Sequence, residues 1–372
     1  MPKYKIKDLA EEISIRVDDP KTSGYEFFVG LEHYDSGKPI ITRYGSTSKL
    51  DSSAKVFKSG DILIARRNVY LKRAGVVYFD GLTSGDSIVI RAKTDNIQKI
   101  LPFVFNTTQF WNYASKHADG SMSKRLSPKN LLEFEVNLPS NDVELTKLSD
   151  LLWSMYDSMH SYEDVIAKSD ELIKSQFIEM FIDKGYPEVS MRDLSVSKAE
   201  YGAGSASVPF EEGRPRYVRI TDINDDGTLN DDIVCSINKQ DDELYKLSYG
   251  DFMFARMGAS VGRTYSFTRG NQIFAGYLIR YKLNLKIINP KYLFVYTKLD
   301  KYRLWVKDNQ SGAAQPGINA KKYDSLCVPL APLEDQTVFV EFAEQIDKSK
   351  FEIEKSLNNL KKIYEKVLRD NF

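Results

Sequence analysis

Hydrophobic positions fall into a narrow stripe in two places along the chain. From Leu148, stepping alternately four and three positions gives Leu148, Leu152, Met155, Met159, Tyr162, Ile166, Ser169, Ile173, Gln176 and Met180, eight of ten apolar. From Phe339 the same steps give Phe339, Ala343, Ile346, Lys350, Ile353, Leu357, Leu360, Tyr364, Val367 and Asn371, again eight of ten. Apolar residues at that period form the seam that a coiled-coil helix presents to a partner helix. The spacing therefore predicts two long helices, 148–183 and 335–372, each a rod of roughly 50 Å at about 1.5 Å rise per residue.

What precedes each rod is also repeated. Gly60-Asp61-Ile-Leu-Ile-Ala65-Arg66 is answered 190 positions later by Gly250-Asp251-Phe-Met-Phe-Ala255-Arg256. Phe134-Glu-Val136-Asn-Leu138 is answered by Leu326-Cys-Val328-Pro-Leu330 at an offset of 192, and the rods follow at 191. A fixed offset at three points predicts a tandem duplication. Each copy is a globular head, 1–147 or 184–334, followed by one rod. If the rods pair along their seams while rod one also leads into head two, the pair must run antiparallel, which places a head at each end about an approximate two-fold axis.

Within the heads the pattern switches to period two. Arg216-Tyr-Val-Arg219-Ile220 alternates, Asp225-Asp226-Gly227 is a turn, and Gly250-Asp251 opens the apolar run Phe252–Ala255. Ser87–Ile90 is a further strand, while Ile97–Ala114 and Pro290–Val306 are predicted as helices. The fold class expected is α+β, two mixed α/β heads separated by two long helices.

With 42% hydrophobic and 28% charged residues, the composition is that of an ordinary folded protein. No apolar run approaches the roughly 18 residues of a membrane span, and the amino terminus lacks a secretion signal, so a cytoplasmic location is expected. The cysteines, Cys235 and Cys327, have no metal or disulfide spacing and are expected to be buried, reduced thiols. Formal net charge is zero, which argues against coating nucleic acid by bulk charge.

Several stretches imitate chemistry without completing it. Asp222-Ile-Asn224-Asp225-Asp226-Gly227 opens like a calcium loop, but its twelfth position is Ile233 rather than the required glutamate. Gly258-Ala-Ser-Val-Gly262-Arg263-Thr264 is one residue short of a phosphate loop and has Arg for Lys. Asn289-Pro290-Lys291-Tyr292 differs by one residue from a methyltransferase box, and no glycine-rich turn for a methyl donor accompanies it; Pro290 more simply starts a helix. His33, His117 and His160 are dispersed. No catalytic constellation and no metal site is expected.

The basic stretches carry more weight. Residues 61–73 hold Arg66, Arg67, Lys72 and Arg73 against Asp61, with Asn68 and Tyr70 among them. Lys116, Lys124, Arg125 and Lys129 stand against Asp119. In head two the candidates are Arg219, Arg256, Ser260, Arg263, Gln310 and Gln315. Arginine pairs bidentately with guanine, asparagine and glutamine with adenine, and lysine with phosphate, so these loops hold the groups needed for reading bases. A solvated surface loop is the competing reading of any one residue. The occurrence of candidates at equivalent places in both heads favours a shared role.

Three segments carry a family resemblance. Gly250–Thr264, then Ser311-Gly312-Ala-Ala-Gln315-Pro316-Gly317-Ile318-Asn319, then Val328-Pro-Leu-Ala-Pro332-Leu-Glu334-Asp-Gln336 resemble the specificity (S) subunit of type I restriction-modification systems. The end of the central helix, Glu171–Phe181, looks like that family's spacer, and Val29–His33 and Tyr70–Arg73 resemble one class of its target recognition domains. Head one departs at Gly120-Ser-Met-Ser-Lys124-Arg125-Leu126, where head two has the Gln-Pro-Gly segment, and at Asn137-Leu-Pro139-Ser, which lacks the following Leu-Glu-x-Gln. The two heads are therefore expected to read different sequences.

The resemblance implies a non-catalytic subunit that recognises a split site on double-stranded DNA, one target recognition domain per half-site. Half-sites about one turn, roughly 34 Å, apart would let both heads approach one face of the duplex. It further implies two methyltransferase subunits using S-adenosylmethionine and restriction subunits using ATP and Mg, with no cofactor on this chain. Exposed Lys and Glu beside the filled seam make Glu354, Lys355, Lys361 and Lys362 the expected partner-docking residues. A coiled-coil scaffold with two protein-binding heads is the rival reading, and a methyltransferase or nuclease acting alone is a third. Sequence-selective DNA binding separates the first two, and an assay of the purified chain with S-adenosylmethionine or magnesium tests the third.

Overall fold

The structure, a computed structural model, describes residues 1–120, 124–237, 242–312 and 316–372. The chain divides into two compact units, the first made of Met1–Glu163 with Lys355–Phe372, the second of Asp164–Glu354. Both contain helices and sheets, an α+β construction.

The first unit is built on a four-stranded antiparallel sheet in the order Ala10–Ile13, Ser87–Ala92, Ile62–Ala65, Ala74–Val76. The strand Ile62–Ala65 is buried on both faces, which explains its unbroken apolar run. Ile62 and Ile64 face a core with Ile100, Phe103 and Trp111. Leu63 and Ala65 face a second core with Val29, Phe57 and Val89. A five-stranded sheet closes that second side, and within it Phe27–Val29 runs parallel to Gly81–Thr83.

The second unit has a four-stranded antiparallel sheet in the order Glu200–Tyr201, Leu278–Lys282, Asp251–Ala255, Thr264–Ser266. Phe252 and Phe254 pack with Tyr281, Tyr292 and Tyr296, while Met253 and Ala255 pack with Val218 and Phe274. Here the second layer is divided between two pairs, Arg216–Val218 parallel with Gln272–Phe274, and Ser207–Pro209 with Cys235–Ile237.

The Gly-Asp motif has the same structural work in both units. Gly60 and Gly250 each sit at φ 94°, a left-handed turn that an L side chain rarely adopts. Asp61 accepts from the Lys58 amide at 2.7 Å and from Arg91 Nε and Nη2 at 2.7 and 2.8 Å. Asp251 accepts from the Ser248 amide at 2.9 Å and from Arg280 at 3.3 Å. Each buried aspartate thus ties a turn to the neighbouring strand.

The long helices run Asp142–Phe177 and Leu333–Asn371, starting six residues before the predicted seams. The first continues as a π-helical turn over Ile178–Ile182. Leu148, Leu152, Met155, Met159 and Ile173 of the first seam are buried, as are Phe339, Ala343 and Leu357 of the second. In the first unit Lys361 pairs with Glu163 at 2.8 Å. In the second, Lys350 meets Asp170 at 2.7 Å and Phe177 packs against Phe339.

Each of the predicted aromatic helices is broken in two. Asp95–Val104 and Thr108–Lys116 are separated because the Thr107 hydroxyl caps the second by accepting from the Phe110 amide at 3.1 Å. Pro290–Tyr296 and Asp300–Asn309 are likewise separate. Cys235 is buried, but Cys327 is exposed, contrary to expectation. In the strand Cys327–Pro329 the inward position belongs to Val328, which leaves the residue before it facing out.

Candidate nucleic-acid interface

In the first unit the basic stretch is the connection between Ile62–Ala65 and Ala74–Val76. Asn68 and Lys72 adopt left-handed backbone, φ 55° and 49°, on either side of a short 3₁₀ turn, Val69–Leu71. Val69 is buried and anchors the turn, so Tyr70 stands outward at 71% exposure. The Arg66 amide donates to the Asp86 carbonyl and its carbonyl accepts from the Leu126 amide, both at 2.9 Å. The two basic stretches, distant in sequence, are thereby brought together.

Asp86 sits between them. Its carboxylate pairs with Arg125 at 3.1 Å and with Arg67 at 3.6 Å. Arg73 donates to the Leu31 carbonyl at 2.8 Å, whereas Lys72 and Lys124 are exposed. Beneath the loop, buried Lys55 donates to the Ser87 carbonyl at 3.0 Å. Burial lowers its pKa from the usual lysine value, the Glu12 carboxylate opposes that shift, and the nearby Arg66 adds to it.

The second unit repeats the arrangement with different side chains. The Arg256 amide donates to the Tyr277 carbonyl at 3.0 Å and its carbonyl accepts from the Ile318 amide at 2.9 Å. Gly258 donates to the Pro316 carbonyl at 3.0 Å, and Ser311 and Gly317 exchange two backbone bonds at 3.0 Å. A Cβ on Gly317 would stand 3.3 Å from the Arg256 carbonyl oxygen, so the close approach of these loops favours glycine there. The Arg256 guanidinium lies over the Tyr201 ring, 4.9 Å from its centroid.

Other candidates are held by the protein. Arg219 forks onto Asp222 at 2.7 to 3.1 Å and reaches the Ile233 carbonyl at 2.9 Å. Arg263 pairs with Asp225 at 2.7 Å and donates to the Ile223 carbonyl at 2.8 Å. The carboxylates of the calcium-like stretch are therefore engaged with arginines or, for Asp226, with Thr228 at 2.7 Å. Beside that turn Lys298 donates to the Asp225 carbonyl at 3.1 Å and lies over the Phe294 ring, and burial pushes its pKa down to about 8. Ser260 is buried in the 3₁₀ turn Gly258–Ser260, and Gln310 is exposed at the end of Asp300–Asn309. Gln315 lies outside the described residues.

Among the proposed docking residues, Lys355, Lys361 and Lys362 are exposed and Glu354 is half-buried. Sequence reasoning missed Asp86, Tyr201 and Tyr277. Asp86 and Tyr277 occupy the same place in the two units, the turn leading into the strand beside the Gly-Asp strand. Among the described residues no group of His, Cys, Asp and Glu is placed to hold a metal ion, and no helix is long and apolar enough to cross a membrane.

Residues 208–362 match the family model of the type I restriction modification DNA specificity domain. No curated protein matches the chain. Among the solved structures that match, two are similar along their length. The type I restriction-modification system S subunit from M. genitalium has 13% identity and a TM-score of 0.63, covering 100% of this chain and 96% of that one. A chain from work on complex assembly and conformational transition of the type I R-M system has 18% identity and a TM-score of 0.57, covering 100% and 97%. The chain is thus similar in sequence, over residues 208–362, to the type I restriction-modification DNA specificity domain, and shares along its length the α+β fold of an S subunit.

Proposed function

We propose that this chain is the DNA-recognition subunit of a type I restriction-modification complex, reading a bipartite site with one unit per half-site. The observation that carries this reading is the repeated interface. In both units the strand opened by Gly-Asp is followed directly by an arginine whose backbone is pinned between two other loops, Arg66 by Asp86 and Leu126, Arg256 by Tyr277 and Ile318. The side chains around the two arginines differ, as two half-sites of different sequence require.

The duplication read in the sequence belongs to the same proposal. Its support is that the four-stranded sheets have matching strand order at an offset near 190. The proposed antiparallel coiled coil is supported by a pair between the two long helices within each unit, Lys361 with Glu163 in the first and Lys350 with Asp170 in the second. We assign the domains as 1–147 and 184–334 for target recognition and 148–183 and 335–372 as spacer helices.

The chain does no chemistry in this proposal. Two methyltransferase subunits would supply S-adenosylmethionine-dependent methylation, and restriction subunits would use ATP and Mg. Sequencing of modified bases in cells carrying this chain and its methyltransferase tests the reading. A two-part motif, with unread bases between the parts, should appear only when the chain is present. Methylation without a motif, or none at all, would refute it.

For docking, Lys361 is already paired with Glu163, so its reversal would also disturb the helix contact. The sharper test reverses exposed Lys355 and Lys362 to Glu, which should weaken co-purification of the methyltransferase while leaving the melting temperature of the chain unchanged. Undiminished co-purification would remove these residues from the docking surface.

A further inference from the structure

We infer that Arg66 and Arg256 are the base-reading arginines of the two units, and that each half-site contains a guanine read end-on by one of them. This rests on the DNA-reading function above and names what each unit reads. The candidate arginines differ in whether their guanidinium groups are free to reach DNA. Arg67 and Arg125 share Asp86, Arg219 is forked on Asp222, and Arg263 is divided between Asp225 and the Ile223 carbonyl. Each would have to abandon a charge-assisted bond to reach DNA, so these arginines shape the loops.

Arg66 and Arg256 are different. Among the described residues neither has a carboxylate partner, and in both the Nε is buried without a hydrogen-bond partner. Nε is unpartnered in Arg73 and Arg216 as well, but those spend a terminal nitrogen on the Leu31 carbonyl and on Asp231. With Nε covered, the donors left to Arg66 and Arg256 are the two terminal NH₂ groups. That pair forms a planar fork matching the O6 and N7 acceptors of guanine in the major groove.

Both backbones are fixed at the amide and the carbonyl, so each fork projects from a determined point. In the second unit the plane is also set, because the guanidinium lies on the Tyr201 ring and the Tyr201 hydroxyl accepts from the Ala320 amide at 3.3 Å. Tyr201 is a positioning residue. By strand register the corresponding place in the first unit is Ser14, so Arg66 has no aromatic plate there.

The test uses the full chain with its methyltransferase, read out by sequencing of modified bases, for wild type and for Arg66→Lys, Arg256→Lys, Tyr201→Phe and Tyr201→Ala. Lysine keeps the charge and loses the fork. Arg256→Lys should lower discrimination at one G·C pair in one half-site by roughly tenfold or more, and Arg66→Lys should do the same in the other half-site. Tyr201→Phe should keep the motif, while Tyr201→Ala should relax the position that Arg256→Lys relaxes. The half-site left intact reports that each variant is folded. A motif unchanged by either lysine variant, a half-site without guanine at the affected position, or a uniform fall in methylation with the motif preserved would overturn the inference, the last because it marks a phosphate contact. If the wild-type chain directs no motif at all, the DNA-reading function itself fails.

Discussion

At the scale of single residues, the Gly-Asp pair that most clearly marks the repeat has a structural role. Asp61 is buried and holds both a turn amide and Arg91. Asp61→Ala should destabilise the first unit by about 2 kcal/mol in chemical denaturation, because removing the carboxylate leaves donors unsatisfied, and should not change the motif read. Lys298 offers a pH-dependent signature. Its folded pKa of about 8 lies below the ordinary lysine value of 10.5 because burial disfavours the ammonium. The unfolded chain therefore binds more protons between these values, and this group's contribution is complete above the ordinary value and lost as pH falls through about 8. NMR of the ¹³C-dimethylated chain should show one lysine titrating near pH 8, and Phe294→Ala should return it toward the usual range. The candidate arginines were legible from their equivalent positions. Their partners Asp86, Tyr201 and Tyr277 were not, since each is brought in by strand pairing across the sheet and leaves no local pattern.

At the scale of elements, periodicity located both long helices because a seam of buried residues at spacing three and four survives any detail of packing. It missed the start of the first, Asp142–Phe177, where the signal is a cap: the Asn141 side chain accepts from the Val143 amide at 2.8 Å, while Val143 itself is exposed. The first broken aromatic helix has the same origin, since Thr107 ends one periodic run and caps the next, whereas no side chain caps the start of Asp300–Asn309. The seam makes a graded prediction. Leu152 is fully buried and its neighbour Leu151 is half exposed. Leu152→Ala should cost about 2 to 5 kcal/mol and Leu151→Ala less than about 0.5, measured as the shift in denaturant midpoint.

At the scale of the whole molecule, a balanced formal charge means that, under the proposed function, attraction to DNA would come from a few placed cations rather than from an overall field. Exposed Lys124 is suited to a phosphate. Lys124→Ala should weaken binding of the chain–methyltransferase complex to all DNA sequences alike and reduce the slope of log affinity against log salt by about one, with the motif unchanged. The repeat was legible in three fixed offsets. The difference between the second layers, one five-stranded sheet against two strand pairs, was not, because short strands in polar loops carry little periodicity.

The membership of the two units also orders events on the ribosome. The second unit is one continuous stretch, 164–354, whereas the first includes residues 355–372, whose Phe372 is buried in its core and whose Tyr364, Val367 and Leu368 pack against it. The half that is translated first is thus the half whose core is completed last, once the nascent chain has delivered the closing turns of helix.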